Sequence, residues 1–278
     1  MTPSEVASRV KSWLRPVVQP RHFHAYTIGT AKSGTTSFAY MFRDSYRSGH
    51  EPDMSRTLEM ILDVGHRKTR DASDLKCFVS RQDRELWLEM NSSQLNYFLL
   101  PALRACFPDA RFVLTIRNCY DWLDSIVNHQ LSRPLRQEFD ETDARRWEQY
   151  RSMRFERNRS DLHPNAHVLL DRGLFSLEGY LSYWARHNER ALRLVPNSRL
   201  LVVRTQDIHD SISEITSFLD VPRSSLNLER AHANKARARH NILDDLDRDY
   251  LESTVDRYCQ SLMDRFFPGI RGYADARA

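Results

Sequence analysis

The 278-residue chain mixes short apolar runs with longer stretches whose apolar positions recur every three or four residues. The runs at 23–28, 111–116 and 199–204 are β-prone and bounded by polar residues, so they read as buried strands. A further strand is expected at 86–90, with 91–93 as the loop behind it. Helical spacing predicts helices over 35–46, 54–64, 94–107, 120–131, 142–157, 177–194, 213–219 and 245–266, with a short amphipathic helix at 6–14. The stretch 47–53 contains Gly49 and Pro52 and reads as a turn, and 65–74 as an exposed polar segment. Strands separated by helices predict an α/β fold, a central parallel sheet with right-handed crossovers. In such sheets ligands sit beyond the carboxyl ends of the strands.

No repeat or low-complexity segment interrupts this order, and a single domain over 1–278 is expected. Residues 132–172 are long, charged and arginine-rich, which fits a lid or acceptor-specificity insert better than scaffold.

Composition narrows the classes. With 41% hydrophobic and 28% charged residues the chain is an ordinary soluble globular protein. A net charge of +4 favours anionic ligands without demanding nucleic acid. The basic excess is arginine, whose planar fork suits phosphate and sulfate. Zinc-finger spacing, RNA-binding aromatic motifs and basic heptads are missing, so no nucleic-acid partner is expected. The longest apolar runs are too short to span a membrane, and residues 1–20 lack the apolar core of a signal peptide. Cys77, Cys106, Cys119 and Cys259 form no CxxC pair and three of them are expected as buried thiols, which fits a reducing, cytoplasmic setting.

The candidate chemistry centres on Tyr26-Thr-Ile-Gly-Thr-Ala-Lys-Ser-Gly-Thr-Thr-Ser37. A strand, a small-residue loop and a helix start make an anion cradle, because first-turn N–H groups and the positive end of the helix dipole face the loop. Gly29 and Gly34 keep the spacing of a nucleotide P-loop, but Thr35 stands where that motif needs lysine, and the loop's lysine is Lys32. The string Gly29-Thr-Ala-Lys-Ser-Gly-Thr-Thr36 resembles the 5′-phosphosulfate loop of the sulfotransferases. Val113-Leu-Thr-Ile-Arg-Asn-Cys-Tyr-Asp-Trp-Leu-Asp-Ser125 resembles the same family's 3′-phosphate motif, with Cys119 where proline is common. An arginine at a strand end and a hydroxyl two turns into the next helix can bracket one phosphate.

That resemblance implies a P-loop NTPase-like three-layer fold and 3′-phosphoadenosine 5′-phosphosulfate (PAPS) as co-substrate, with no metal. It implies a donor site of Lys32, Ser33, Gly34, Thr35, Thr36, Ser37, Arg117 and Ser125. Tyr180, with Trp184 beside it, corresponds to the stretch that places an aromatic against adenine, and Lys235, Arg237 and Arg239 to the basic loop over the 3′-phosphate. Lys32 would stabilise the transferring group. The acceptor hydroxyl must lose a proton; Glu51 is the candidate base, His50 the second choice, and Glu89 and Ser92 follow. The acceptor is expected to be a carbohydrate or another small molecule, and oligomeric state is not legible. The pairs His22/His24 and His163/His167 lack acidic or cysteine company and are not read as a metal site. A P-loop kinase is disfavoured by Thr35 and by Arg117, which stands where a magnesium-binding aspartate is expected. A non-catalytic nucleotide-binding module on the same fold is the other alternative.

Overall fold

A computed structural model of the chain describes residues 19–156, 163–229 and 240–277. The expected helix at 6–14 and the basic residues Lys235, Arg237 and Arg239 lie outside them.

Five parallel strands form one sheet in the order β2-β3-β1-β4-β5. They are β1 (Ala25–Thr27), β2 (Ser48–His50), β3 (Met90–Ser92), β4 (Arg111–Ile116) and β5 (Leu200–Arg204). β1 pairs with β3 through Ala25↔Met90 and with β4 through Ala25↔Arg111. The chain runs from β1 to the edge strand β2, returns to β3 beside β1, and then crosses over β1 to β4 on its other side, so the strand order reverses at β1, the topological switch point where α/β sheets bind ligands.

Alternation along the strands assigns the layers. Ala25, Val113 and Val203 pack with Phe38 and Phe42 of helix α1 (Thr35–Phe42) and with the C-terminal half of the sheet's cover. Their neighbours Tyr26, Phe112 and Leu114 face the opposite way, onto α2 (Met54–Leu62), α3 (Ala72–Leu86) and α4 (Asn96–Cys106). The sheet is thus buried on both faces, which is why β4 reads as an unbroken apolar run. A third apolar cluster lies among α5 (Cys119–Ser132), α9 (Leu177–Leu194) and α11 (Arg248–Phe266).

Two expectations are corrected. The segment 47–53 is not only a turn: Ser48–His50 is the edge strand β2, formed through pairing with β3 although Ser-Gly-His has little β propensity. The strand expected at 86–90 begins at Met90, and most of 72–86 is helix α3, with Leu75, Phe78, Val79 and Gln82 on its buried side. Asp71 caps that helix through the N–H groups of Ser73 and Asp74, a signal the polar composition concealed.

The arginine-rich segment contributes α6 (Leu135–Glu138), α7 (Glu141–Phe155) and α8 (His167–Leu170). α7 buries Ala144, Trp147, Tyr150 and Phe155 against the cores, so this helix is partly scaffold. α10 (Ile212–Leu219) and α12 (Tyr273–Arg277) complete the described helices. Of the cysteines, Cys119 and Cys259 are buried, whereas Cys106 is half-buried and Cys77 exposed.

Candidate active site

Because all five strands are parallel, the loops after β1, β2, β3 and β4 open on one edge of the sheet. A cavity of about 510 Å³ lies there. Lys32, Thr35, Thr36, His50, Glu51 and Ser125 all line it, although the sequence separates the first from the last by 93 positions.

The loop after β1 is shaped by what holds its carbonyls. Ile28 O accepts from His187 Nε2 (2.8 Å), Ala31 O from Trp122 Nε1 (2.8 Å) and Ser33 O from the Thr205 hydroxyl (2.7 Å). Thr30 O accepts from the Ser33 hydroxyl at 2.7 Å. Acceptors are therefore drawn into the protein from three different elements. Gly34 is the helix N-cap and supplies no side-chain cap to α1, so the first-turn N–H groups are left for an anion. Gly29 admits no side chain: a Cβ there would lie 2.1 Å from Thr115 Oγ1. Gly34 sits at φ 101°, a backbone conformation that glycine adopts freely.

Lys32 itself has φ 66°, an uncommon left-handed value for a residue with a side chain. Burial lowers its pKa below the ordinary lysine value, and the nearby Arg133 and Arg117 guanidiniums push in the same direction. Crowded cations of this kind are relieved by a bound anion. Arg117 is not part of the cavity wall; its Nη2 lies 3.8 Å from the Asp121 carboxylate. Ser33 and Ser37 are buried, and Ser33 Oγ lies 2.9 Å from Thr115 Oγ1, which makes the serine part of the loop's frame.

Glu51 follows β2 directly, at φ 47°, with its N–H donating to Ser92 O (2.9 Å). One carboxylate oxygen accepts from Gln94 Nε2 at 2.8 Å, and Gln94 Oε1 in turn accepts from Arg154 Nη1 at 3.1 Å. The buried guanidinium decides which way the amide points, and the amide holds the carboxylate. The other Glu51 oxygen takes no hydrogen bond from the described residues. His50 is differently placed. Its Nδ1 faces Ser92 O (3.2 Å), which assigns the proton to Nδ1, so Nε2 accepts from the Thr36 hydroxyl (2.9 Å). Both ring nitrogens are engaged, which leaves Glu51 the freer proton acceptor.

Three further expectations are corrected by placement. Tyr180 is fully buried, donates its hydroxyl to Gln130 (2.6 Å) and is absent from the cavity wall; Trp184 is buried too and donates to Arg117 O (3.1 Å). Their helical spacing reflects core packing. Glu89 sits at the other end of β3, where it accepts from the His22 and Arg47 backbone N–H groups, and is a structural staple. Ser92 is buried, with its hydroxyl 2.8 Å from that of Thr27, and donates to Thr35 O.

His129, Arg133, Arg151 and Arg154 also line the cavity and were not singled out from sequence. Burial, with the charges of Lys32, Arg133 and Arg151, drives the His129 pKa down to about 4, so this ring is neutral at pH 7. His129 lies one turn beyond Ser125 on α5, a spacing that could have flagged it.

The sulfotransferase domain family model matches residues 26–238, from β1 through the loop and on past β5. The chain belongs to the sulfotransferase domain family. It is an enzyme of sulfuryl transfer, and among its described residues no helix is long and apolar enough to cross a membrane. No curated protein matches the sequence. Among solved structures it is similar to a sulfotransferase from Alicyclobacillus acidocaldarius, at 14% identity over 88% of this chain and 97% of that one, with a TM-score of 0.49. It is also similar to the sulfotransferase STF9 from Mycobacterium avium, at 14% identity over 96% of this chain and 82% of that one, TM-score 0.49.

Proposed function

We propose that this sulfotransferase moves a sulfuryl group from PAPS to a hydroxyl of a carbohydrate or other small-molecule acceptor. The observation that carries the reading is that Lys32 and Glu51 line one cavity, each on left-handed backbone, Lys32 in the loop after β1 and Glu51 directly after β2 at the same sheet edge. A non-glycine residue held there is strained, and such strain gathers at functional sites.

The donor site fits the group. A loop whose Ile28, Thr30, Ala31 and Ser33 carbonyls are taken up by hydrogen bonds, a helix start without a side-chain cap and a crowded lysine favour a phosphosulfate. Ser125 on the cavity wall and Arg117 at the end of β4 would hold the 3′-phosphate. The acceptor oxygen attacks sulfur in line with the bond to the 5′-phosphate oxygen. That bond breaks, and its electron pair stays on the phosphate. Glu51 takes the acceptor proton on its unbonded oxygen. Lys32 and the loop N–H groups meet the charge that builds on the sulfuryl and leaving oxygens. The products are a sulfate ester and adenosine 3′,5′-bisphosphate.

The test is transfer of labelled sulfuryl from PAPS to a panel of hydroxyl acceptors. Lys32→Ala should lower kcat by about 10²–10³-fold, as expected for losing one preorganised charge donor. Glu51→Gln should lower it by about 10²–10⁴-fold, the range for a general base. Wild-type rates from the Lys32 variant would sink the assignment of that residue.

A further inference from the structure

Among the described residues, the cavity holds one more cation than donor binding and local pairing account for. Lys32, Arg133, Arg151 and Arg154 line it, against the carboxylates of Glu51 and Glu138. Lys32 belongs to the loop. Arg133 pairs with Glu138 at 3.1 Å. Arg154 donates to Gln94 and lies over the rings of Tyr150 (4.1 Å) and Phe155 (4.4 Å). The Arg151 side chain makes no hydrogen bond or ion pair with any described residue. The two carboxylates whose fields reach it are engaged elsewhere, Glu138 with Arg133 and Glu148 with Arg136 at 3.8 Å, and the Tyr180 phenol donates to Gln130. Burial and the charge of Arg154 bring the Arg151 pKa down to about 10. A sheltered guanidinium in this setting is held at a disadvantage that only an anion would remove.

Its position says which anion. Arg151 and Arg154 occupy successive turns of α7, and Arg154 leads through Gln94 to Glu51. Arg151 therefore stands one helical turn from the anchor of the candidate base, on α7, and shares the cavity with the loop and Ser125. His129 lies between the two sides electrically, feeling both Lys32 and Arg151, and its ring is neutral, so it does not supply the missing partner.

We infer that the acceptor of this enzyme carries an anionic group, a carboxylate, phosphate or sulfate ester, and that Arg151 binds it so that the acceptor hydroxyl is presented to Glu51. The inference rests on the sulfotransfer reading of the cavity. It makes Arg151 a specificity-determining residue: an arginine fork reads a planar or tetrahedral oxyanion in two hydrogen bonds, and a neutral acceptor leaves it unpaired.

The test uses the full chain saturated with adenosine 3′,5′-bisphosphate and matched acceptor pairs that differ only in charge. The pairs are methyl glucuronide with methyl glucoside, 4-hydroxybenzoate with 4-hydroxybenzamide, and glycerol 3-phosphate with glycerol. Calorimetry should show the anionic member binding about 10-fold or more tighter in at least one pair, in line with a charge-assisted contact. Arg151→Gln should reduce that preference to within about 2-fold while changing bisphosphate affinity by less than about 3-fold, and Arg151→Lys should keep part of it. Since Arg151 bonds to nothing described, the Gln variant should melt at or above the wild-type temperature, so loss of preference cannot come from unfolding.

Equal binding within every pair overturns the inference. So does a preference that survives Arg151→Gln, or a Gln variant that weakens the bisphosphate as much as the acceptor, which would assign Arg151 to the donor. Bisphosphate binding by the wild-type protein reports separately on the donor reading. If it is absent, that reading fails, and the charge preference is then measured without the nucleotide.

Discussion

Gly29 shows how little room the loop after β1 leaves. A methyl group there would meet Thr115 Oγ1 at 2.1 Å, Thr115 O at 2.5 Å and Ser33 Oγ at 2.6 Å. Backbone atoms of a central strand cannot move aside, so Gly29→Ala should destabilise the protein by about 1–3 kcal/mol or distort the loop. The control is Gly269→Ala, where nothing lies within 4 Å and the change should stay within about 0.5 kcal/mol. Urea midpoints for the two variants check both values, and bisphosphate affinity should fall for the first alone. Lys32, Glu51, His50, Thr35, Thr36 and Ser125 were legible as candidates because loop spacing and strand ends are local signals. Gln94 and Arg154 were not. A glutamine at a helix entry and an arginine in a charged segment look like surface until the fold places them behind Glu51.

At the scale of elements, α9 is tied to the loop by one buried ring. His187 donates from Nε2 to Ile28 O (2.8 Å), and its Nδ1 accepts from the Tyr183 hydroxyl (3.0 Å), so the neutral tautomer is the one the fold needs. Tyr97 stacks on it at 3.7 Å between centroids. Burial brings its pKa down to about 3. An unfolded histidine takes up its proton near pH 6.5. Between pH 6.5 and about 3 the unfolded chain therefore holds a proton that the folded one refuses, and stability falls as pH falls through this window. Fully developed, the loss is on the order of 5 kcal/mol. His129 adds to it with the same sign, its pKa being lowered to about 4. Urea midpoints at pH 7 and pH 4.5 should show the drop in the wild type and a smaller drop in His187→Gln, which keeps a donor and cannot titrate. An equal slope in both would assign the acid loss to other groups. The same scale explains the elements that pattern reading missed. β2 is three residues long, and its pairing with Met90–Ser92 makes it a strand. α3 hides its apolar face among charges and is secured by Asp83, which takes a two-point bond from Arg21 (2.7 and 3.1 Å).

For the whole molecule, the cavity is a place where cations from three separate segments converge, Lys32 from the loop, Arg133 from the end of α5 and Arg151 with Arg154 from α7. Their mutual repulsion opposes folding, and a ligand that neutralises them should stabilise the folded state. Adenosine 3′,5′-bisphosphate at about 100 times its Kd should add about 2.7 kcal/mol, a rise in Tm of roughly 5–10 °C for a domain of this size. ATP with magnesium should give a clearly smaller rise, because Thr35 and Arg117 replace the groups a metal-bound triphosphate requires. Comparable shifts from both ligands would count against the PAPS reading and return the site to a general phosphate cradle. Differential scanning fluorimetry in low and physiological salt reads these values directly, with the larger shift expected at low salt.

The sequence by itself determined the parts that depend on neighbours along the chain. The spacing from Gly29 to Gly34, the lysine displaced to position 32, the apolar run ending on Arg117 and the serine two turns later all follow from local sterics and helix or strand period. These were enough to indicate a parallel sheet and a strand–loop–helix turn at its carboxyl edge. Only the tertiary structure decided what surrounds that loop. Carbonyl partners come from Trp122, His187 and Thr205, far away in sequence. It also moved Tyr180 into the core and brought Arg154 behind Glu51. Contacts of long sequence separation carry no periodic trace, because each depends on where several elements pack at once.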